Sequence, residues 1–289
     1  MNLLSVEGLS KKYDGFHLKD ISFGLPSGYI MGFIGRNGAG KTTTIKAMLN
    51  LVRPDSGRVS VLGQEYYGNE TSLKKVVGLT LGGVDYYPGA AIARITAVFR
   101  RFYDTWDDSA YRGYLKRFGL DETKKVRQLS AGMKVKYALA LALSHGACLL
   151  VLDEPTTGLD PVSRDDMLDL FREIIEAGDR SILFSTHITS DLEKCADYIT
   201  YIRDGRLMAS AEREEFLGSY LVVKGRKDQL TTTLRTKMIG HKLTDFGFTG
   251  MIAACDREVG LGCEVSVPDI EQIMIFHERG DAGSEGNRS

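Results

Sequence analysis

The sequence contains little cysteine and no excess of charge of either sign. Its four cysteines, among 289 residues, show no Cys-x-x-Cys spacing, so we expect reduced, cytosolic thiols and no metal site built on them. Lysine and arginine number 37 against 38 aspartate and glutamate residues, which leaves a net charge of −1. Because proteins that coat nucleic acid usually carry a basic excess, we expect no nucleic-acid partner.

Long apolar segments are also missing. The longest candidate, 137–152, is interrupted by Ser144, His145 and Gly146, so we do not expect the chain to span a membrane unaided. The start of the chain has neither the basic flank nor the apolar run of a signal peptide. The length, with 43% hydrophobic and 26% charged residues, predicts one large α/β domain with an appendage.

A glycine-rich loop follows the strand-like run 29–34 and opens a predicted helix near Lys41. It fits the pattern G-x-x-x-x-G-K-S/T, whose backbone N–H groups wrap round nucleotide phosphates. Its glycines let the backbone bend and approach an anion, and the helix directs its positive end at the same anion. Lys41 would add a cation at the outer phosphates, and the Thr42 hydroxyl would bind Mg²⁺. The predicted nucleoside-triphosphate site consists of Gly35, Arg36, Asn37, Gly38, Ala39, Gly40, Lys41 and Thr42.

Two acids end the apolar, strand-like run 149–152. Asp153 and Glu154 should face the phosphate loop, because ligands of open α/β sheets bind beyond the carboxyl ends of the strands. One acid is needed to bind Mg²⁺, directly or through water, and the second can orient and polarise an attacking water. We assign Asp153 to the metal and Glu154 to the water. The alternative is a pair of acids that cap neighbouring backbone.

From about residue 88 to 146 the apolar residues change to helical spacing, which predicts a helical subdomain inserted into the α/β core. Within it, Ser130 can cap a helix and Gly132 would let an anion approach. A Ser-x-Gly helix start is common, but its position shortly before the strand with the two acids favours a role at the nucleotide. The basic residues between 124 and 136 form either a solvated helical face or a surface that steers nucleotide.

The domain organisation follows from changes in pattern along the chain. Alternating runs at 3–9 and 16–25 predict an antiparallel β subdomain at the start of a domain that covers 1–219. Short strand-like pieces and a final helix at 269–276 predict a small α+β accessory domain at 220–279. The polar segment 280–289 is predicted to be disordered. The fold class is α/β: a phosphate-loop NTPase core with an antiparallel β subdomain, an inserted helical subdomain and a small C-terminal α+β domain.

The order of these motifs resembles that of an ATP-binding cassette ATPase, the motor subunit of ABC transporters, over residues 1–217. The resemblance is nearest to the YtrB-like subfamily, and 129–133 is similar to the family's signature motif. It implies that two such subunits, identical or different, bind ATP head-to-tail. Ser130 and Gly132 of one subunit would contact the γ-phosphate held by Lys41 of the other.

Further residues take a role only from that resemblance. Tyr13 falls where the family has an aromatic that stacks on adenine, with packing as the alternative. Thr43 fits a second hydroxyl beside the phosphates. His187, just past the predicted strand 181–185, resembles the switch histidine that hydrogen-bonds the γ-phosphate. Asp160 resembles part of the D-loop and can equally cap a helix.

One departure from the family pattern concerns the glutamine that reaches Mg²⁺ and contacts the membrane partner. Alignment puts Gly82 or Gly83 at that position, and glycine has no side-chain ligand; Asp85 is the candidate substitute. Either metal coordination relies on water, or coupling to the membrane partner differs from the family norm.

The resemblance implies a cytoplasmic ATPase, peripheral on the inner face of the membrane, that uses ATP and Mg²⁺. It would power export of a peptide, antibiotic or other small molecule through separately encoded transmembrane permease subunits, with Lys41, Glu154 and His187 as catalytic residues. A soluble ABC ATPase acting on DNA or ribosomes is an alternative, but it would need coiled-coil insertions or a second cassette. A regulatory nucleotide sensor is another, and it would usually lack the carboxylate or the histidine.

Overall fold

The computed structural model describes residues 2–81 and 87–285. The chain divides into two units, 1–210 and 211–289, so the boundary falls earlier than the predicted change at 219/220. Gly82, Gly83 and Asp85, where the sequence departs from the family pattern, lie outside the described residues. Among the residues that are described, no helix has both the length and the apolar character needed to cross a lipid bilayer.

In the described part of the chain, ten strands form the sheet on which the first unit is built. They are β1 (Asn2–Tyr13), β2 (Phe16–Pro26), β3 (Ile30–Ile34), β4 (Ser56–Val61), β5 (Gln64–Glu65), β6 (Val77–Leu81), β7 (Leu149–Asp153), β8 (Ser181–Thr186), β9 (Tyr198–Arg203) and β10 (Arg206–Glu212). Their order in the sheet is β5-β4-β1-β2-β10-β9-β3-β8-β7-β6. The accompanying α-helices are α1 (Lys41–Met48), α2 (Glu70–Leu73), α3 (Ile92–Phe99), α4 (Asp108–Phe118), α5 (Ala131–Ser144), α6 (Pro161–Glu176) and α7 (Thr189–Cys195).

Parallel strands form the centre of this sheet. Every residue of β3, β7 and β8 is buried, as continuous apolar runs are when other elements cover both faces of a parallel sheet. β3 pairs with β8, and β8 pairs with β7, all in parallel. The register puts Ile34 beside Thr186 and Asp153 beside Ser185, so the carboxyl ends of three strands meet at one edge.

The antiparallel part of the sheet lies at the other side and matches the predicted β subdomain. β1 pairs with both β2 and β4 in antiparallel register, and Tyr13 pairs with Phe16 across the Asp14-Gly15 turn. Leu4, Leu9 and Ile21 are fully buried in the core that this part shares with Phe33. This packing brings the β1–β2 hairpin into the same core as the strand that precedes the phosphate loop.

The predicted helical segment 88–146 contains α3, α4 and α5. Buried polar contacts connect the three helices, since the Thr96 hydroxyl lies 2.7 Å from the Tyr111 hydroxyl and 2.9 Å from the Tyr137 hydroxyl. α4 begins at a capping aspartate, Asp107, and ends at Gly119, whose φ of 63° is the left-handed conformation typical of a helix end.

The second unit, as far as residue 285, contains a four-stranded antiparallel sheet and three α-helices, in agreement with an α+β class. The elements are α8 (Arg213–Gly218), β11 (Tyr220–Gly225), α9 (Thr232–Lys237), β12 (Met238–Leu243), β13 (Phe248–Ala253), β14 (Glu264–Ser266) and α10 (Ile270–Glu285). The sheet order is β12-β13-β11-β14, and Val223, Leu234, Phe248 and Ile252 form its core.

The last helix corrects one prediction. α10 continues to Glu285 instead of ending near residue 276, whereas the disorder of 280–289 stays a prediction. The glycine at 280 is a packing residue: a Cβ there would lie 2.0 Å from the Ile239 carbonyl oxygen of β12. The helix backbone can approach the strand closely because that side chain is absent. Residues 286–289 lie outside the described range.

Candidate nucleotide-hydrolysis site

The phosphate loop connects β3 to α1, and its shape requires glycine at several positions, among them Gly35, Gly38 and Gly40. Gly40, directly before α1, has a φ of 112°, which side chains with a Cβ rarely adopt. Gly35 has no room for a side chain, because a Cβ there would lie 2.4 Å from the Ile202 carbonyl oxygen of β9. Ala39 is a buried residue of the loop, and its N–H donates to the Arg36 carbonyl oxygen over 3.1 Å.

A cavity of about 370 Å³ opens above this loop. Its lining combines loop residues with residues that are distant in the sequence: Phe16, Arg36, Asn37, Gly38, Gly40, Lys41, Thr42, Thr43, Glu154, Thr157 and His187. The three predicted catalytic residues therefore line one cavity, although Lys41, Glu154 and His187 come from separate parts of the chain.

The ammonium group of Lys41 is the buried positive charge of this cavity. The side chain is only 5% exposed, and Nζ donates to the Gly35 carbonyl oxygen over 2.7 Å. Nζ also lies 3.1 Å from Oε1 of Glu154, so a carboxylate balances its charge. A buried ammonium needs such anionic and carbonyl partners, since burial without them would be costly.

Thr42, which lines the cavity, and Asp153, which is hydrogen-bonded to it, offer two oxygen atoms that can ligate a metal ion. The Thr42 hydroxyl donates to Oδ2 of Asp153 over 2.8 Å, and the Ser185 hydroxyl donates to Oδ1 over 2.6 Å. Oxygen donors of this kind suit Mg²⁺, which is typically bound by one or two protein oxygens together with substrate phosphates and water. The described residues include no group of three or more His, Cys, Asp or Glu that could hold a metal.

Glu154 is held by three side chains. Its Oε2 accepts from the Thr157 hydroxyl over 2.8 Å and from Nδ1 of His187 over 2.8 Å, while Oε1 faces Lys41. Burial acts to raise the pKa of Glu154, but the hydrogen bonds from Thr157, Lys41 and His187 and the Lys41 charge outweigh it, so the pKa lies below its usual value. Because a carboxylate only accepts, Nδ1 of His187 carries the proton in this contact.

The predicted adenine-stacking residue, Tyr13, is not among the residues that line the cavity. Its side chain is 43% exposed, and Lys11 Nζ lies 5.7 Å from its ring centroid. Phe16, its cross-strand partner, lines the cavity instead. Directly opposite residues of an antiparallel pair project to the same face, so the two rings belong to one side of the hairpin.

Three residues of this site were missed by sequence reasoning: Phe16, Thr157 and Ser185. Thr157 had a local signal, since a hydroxyl three residues after an acid at a turn can reach back to it. Phe16 and Ser185 had none, because their neighbours in the site are distant in sequence.

Ser130 and Gly132 lie at the start of α5 and do not line the cavity above the phosphate loop. The prediction that Ser130 caps this helix is confirmed, since its Oγ accepts from the Met133 N–H over 3.2 Å. Gly132 lies near Leu159, whose Cδ2 would be 3.3 Å from a Cβ at 132. Within one chain, the structure therefore does not bring Ser130 and Gly132 to Lys41.

Asp160 and His145 make contacts within the fold: Asp160 caps a helix, and His145 stacks on an aromatic ring. Asp160 caps α6, with Oδ1 accepting from the Val162 and Ser163 N–H groups over 3.1 and 3.0 Å. His145 follows α5, is buried, and stacks on Tyr103 with ring centroids 3.9 Å apart. Burial lowers the pKa of His145 below its usual value, so the ring is neutral at pH 7.

A glycine-rich loop between a parallel strand and a helix, with two acids at the end of another strand of the same sheet, defines a phosphate-loop NTPase. Residues 18–157 match the family model of ABC transporters. The ABC transporter ATP-binding protein YtrB of Bacillus subtilis is 30% identical over 223 residues, which cover 77% of this chain and 76% of that protein.

Two further comparisons agree. The Nod factor export ATP-binding protein I of Burkholderia orbicola is 34% identical over 212 residues, covering 71% of this chain and 69% of that protein. A solved structure of an ATP-binding subunit of an ABC transporter aligns with a TM-score of 0.66 and 27% identity, covering 74% of this chain and 91% of that one. The chain belongs to the ATP-binding subunits of ABC transporters, which hydrolyse ATP to power transport.

Proposed function

We propose that this chain binds ATP with Mg²⁺ and hydrolyses it to power export of a peptide, antibiotic or other small molecule through separately encoded permease subunits. The observation that carries the proposal is the meeting of Lys41, Glu154 and His187 in one cavity above the phosphate loop. The direction of transport is supported by a relative that is named for export.

Binding of the triphosphate would rest on the loop and on Lys41. The loop N–H groups and the start of α1 favour an anion, and Lys41 supplies the one positive charge on α1 that lines the cavity. Thr42 and Asp153 would hold Mg²⁺, which when bound neutralises charge on the phosphates. Thr43 lines the same cavity and supplies a second hydroxyl.

Glu154 would orient the attacking water. Its lowered pKa keeps the carboxylate ionised at neutral pH, as a group that accepts a hydrogen bond from water must be. An incoming γ-phosphate would replace Oε1 of Glu154 as the anionic partner of Lys41, which leaves Oε1 free to accept from the water. Thr157 and His187 would keep Oε2 in place during this exchange.

A second subunit, identical or different, would complete the site. Ser130 and Gly132 lie outside the cavity of their own chain, which supports a head-to-tail arrangement in which they contact the γ-phosphate on the partner. Tyr13, beside Phe16 on the hairpin, would stack on the adenine together with Phe16.

The permease contact would lie at an apolar cavity of about 420 Å³ in the first unit. Residues of the helical segment, among them Phe99, Tyr103 and Leu141, line one part of it, and 77–81 of β6 line another. A membrane subunit seated there would hold the chain on the inner face of the membrane. The helical segment would transmit movement between the nucleotide and that subunit.

The test is Glu154→Gln, which keeps the size of the side chain but removes its negative charge. We expect phosphate release to fall to a few per cent or less, since removing a catalytic acid or base costs about 10² to 10⁴ in rate. We also expect a dimer in size-exclusion chromatography that depends on Mg²⁺ and ATP, because the nucleotide stays bound and is not cleaved.

Glu176→Gln is the matched control, since it removes the same charge from an exposed position on α6. It should hydrolyse ATP as the parent protein does and form no trapped dimer. Full phosphate release by Glu154→Gln would remove Glu154 from the proposed role.

A further inference from the structure

Ser185, near the end of β8, lies between Asp153 and Glu154, the two acids at the end of β7. Its side chain is fully buried, with 0% exposure. Its hydroxyl donates to Oδ1 of Asp153 over 2.6 Å and accepts from the Glu154 N–H over 3.0 Å. One hydroxyl on a neighbouring strand therefore contacts both acids: Asp153 through its carboxylate and Glu154 through its backbone N–H.

The contact with Asp153 fixes the direction of its carboxylate. Because Oδ1 is occupied by Ser185, Oδ2 is the oxygen that faces Thr42, at 2.8 Å from its hydroxyl. Hydrogen-bond partners of metal-binding carboxylates orient these ligands and tune metal affinity. Without the Ser185 hydroxyl, the carboxylate could rotate away from Thr42.

The contact with Glu154 concerns its backbone. Glu154 has a φ of 50°, a left-handed conformation that is uncommon for a residue with a long side chain. Such a conformation persists only where neighbouring groups hold it. The Glu154 N–H donates to both the hydroxyl and the carbonyl oxygen of Ser185, at 3.0 and 3.2 Å. Ser185 thereby helps to turn the Glu154 side chain towards Lys41.

We propose that Ser185 is a positioning residue that aligns the metal-binding acid and the water-orienting acid through one buried hydroxyl. The proposal rests on the proposed function, since it takes Asp153 as the Mg²⁺ ligand and Glu154 as the water-orienting group. It adds that the alignment of both acids depends on β8, a strand that contributes no charged side chain of its own.

Ser181 offers a matched control at the opposite end of the same strand. It is also fully buried, and its hydroxyl also makes two hydrogen bonds, accepting from the Gly28 N–H over 2.9 Å and donating to the Pro26 carbonyl oxygen over 3.0 Å. At the usual rise per residue of a strand, the two serines lie about 13 Å apart. Ser181→Ala and Ser185→Ala therefore remove similar bonds from one strand, but only the second change is at the acids.

The experiment measures binding of a non-hydrolysable ATP analogue with excess Mg²⁺ and with EDTA. The ratio of the two affinities reports the contribution of Mg²⁺ without any turnover. We expect Ser185→Ala to reduce this ratio about tenfold, the lower end of the effect usual for hydrogen-bond partners of metal ligands, and to reduce the rate of ATP hydrolysis. Ser181→Ala should leave the ratio unchanged.

Ser185→Cys covers the case in which Ser185→Ala does not fold. The thiol occupies nearly the same place but is a weaker donor and acceptor, so we expect a reduction of the ratio smaller than for alanine. A ratio unchanged in the folded Ser185 variants, or reduced equally by Ser181→Ala, would overturn the proposal.

The outcome for Glu154→Gln separates this inference from the proposed function. If Glu154→Gln loses turnover while the Ser185 variants keep the parent ratio, the function stands and the positioning role of Ser185 is wrong. If Glu154→Gln hydrolyses ATP at the parent rate, the proposed function itself is wrong.

Discussion

Two cavities of the first unit, the polar one above the phosphate loop and the apolar one lined by the helical segment and β6, are similar in size and opposite in character. One, of about 370 Å³, is lined by Lys41, Glu154, His187 and hydroxyl groups, and the other, of about 420 Å³, is lined mainly by aliphatic and aromatic side chains. The region around α1 contributes to both, since Lys41 at its start lines the polar cavity and Leu49, just past its end, lines the apolar one.

The difference shows how one element serves two tasks. The start of α1 presents N–H groups and a positive dipole end, which suit an anion. Near its end lie Leu49 and Leu51, and Leu51 is 46% exposed, which suits contact with another apolar surface. We therefore expect changes in the polar cavity to affect the nucleotide, and changes in the apolar cavity to affect a partner.

The largest expected effect is that of Lys41→Ala. Loss of the charged contact with the phosphates should cost about 3 kcal/mol, which is roughly a hundredfold in affinity for ATP. Isothermal titration with ATP measures this, with Lys46→Ala as the control, because Lys46 lies on the same helix and does not line the polar cavity. Unchanged affinity in Lys41→Ala would contradict the assignment of the phosphate loop.

A change in the apolar cavity should affect binding of the permease and leave the affinity for ATP unchanged. Leu51→Glu introduces a charge at an exposed position of the lining and should weaken binding to the permease by about 2 kcal/mol, or roughly thirtyfold, with ATP affinity unchanged. Leu62→Glu is the control, since Leu62 is 48% exposed and does not line this cavity. Co-purification of the membrane subunit from detergent extracts is the measurement, and equal recovery with both variants would argue against this docking surface.

A change in the β1–β2 hairpin beside the polar cavity should have a smaller effect on the affinity for ATP. Phe16→Ala should lower ATP affinity by about 1 to 2 kcal/mol, the lower part of the range of about 1 to 3 kcal/mol for loss of one aromatic stacked on a base. Binding of inorganic tripolyphosphate should not change, because it has no base. The same measurement on Tyr13→Ala shows how much of the stacking on the base each of the two rings contributes. A loss of tripolyphosphate binding in Phe16→Ala would point to a disturbed loop instead of lost stacking.

The smallest expected effect concerns the pH dependence of hydrolysis. Thr157→Ala removes a hydrogen bond that favours the ionised form of Glu154, so the pKa of that carboxylate should rise. Activity that needs the carboxylate ionised should then decline at a higher pH on the acidic side, by less than about one pH unit. Rate measurements from pH 4 to 8 test the direction, and Thr157→Ser should retain the parent profile. A shift to lower pH would contradict the contact with Glu154.

Features that depend on neighbouring residues in the sequence were predictable. The phosphate loop, the Ser130 cap and the acids at the end of β7 all follow from residue types within a few positions of one another. β12 and β13 were not predicted, because each contains a glycine and lacks clear alternation, and their pairing with each other and with β11 makes them strands. The continuation of α10 was missed for a similar reason, since its glycine packs against β12.

By itself, the sequence determined the chemistry of this protein: a glycine loop, a lysine, two acids and a histidine in an order typical of one family. Only the tertiary structure decided which groups meet. The parallel register of β7 and β8 puts Ser185 between both acids, the β1–β2 hairpin brings Phe16 to the phosphate loop, and the apolar cavity is assembled from separate helices and a strand. Local hydrogen bonds act between residues close in the chain and leave a pattern there, whereas contacts between distant segments depend on how the whole sheet packs.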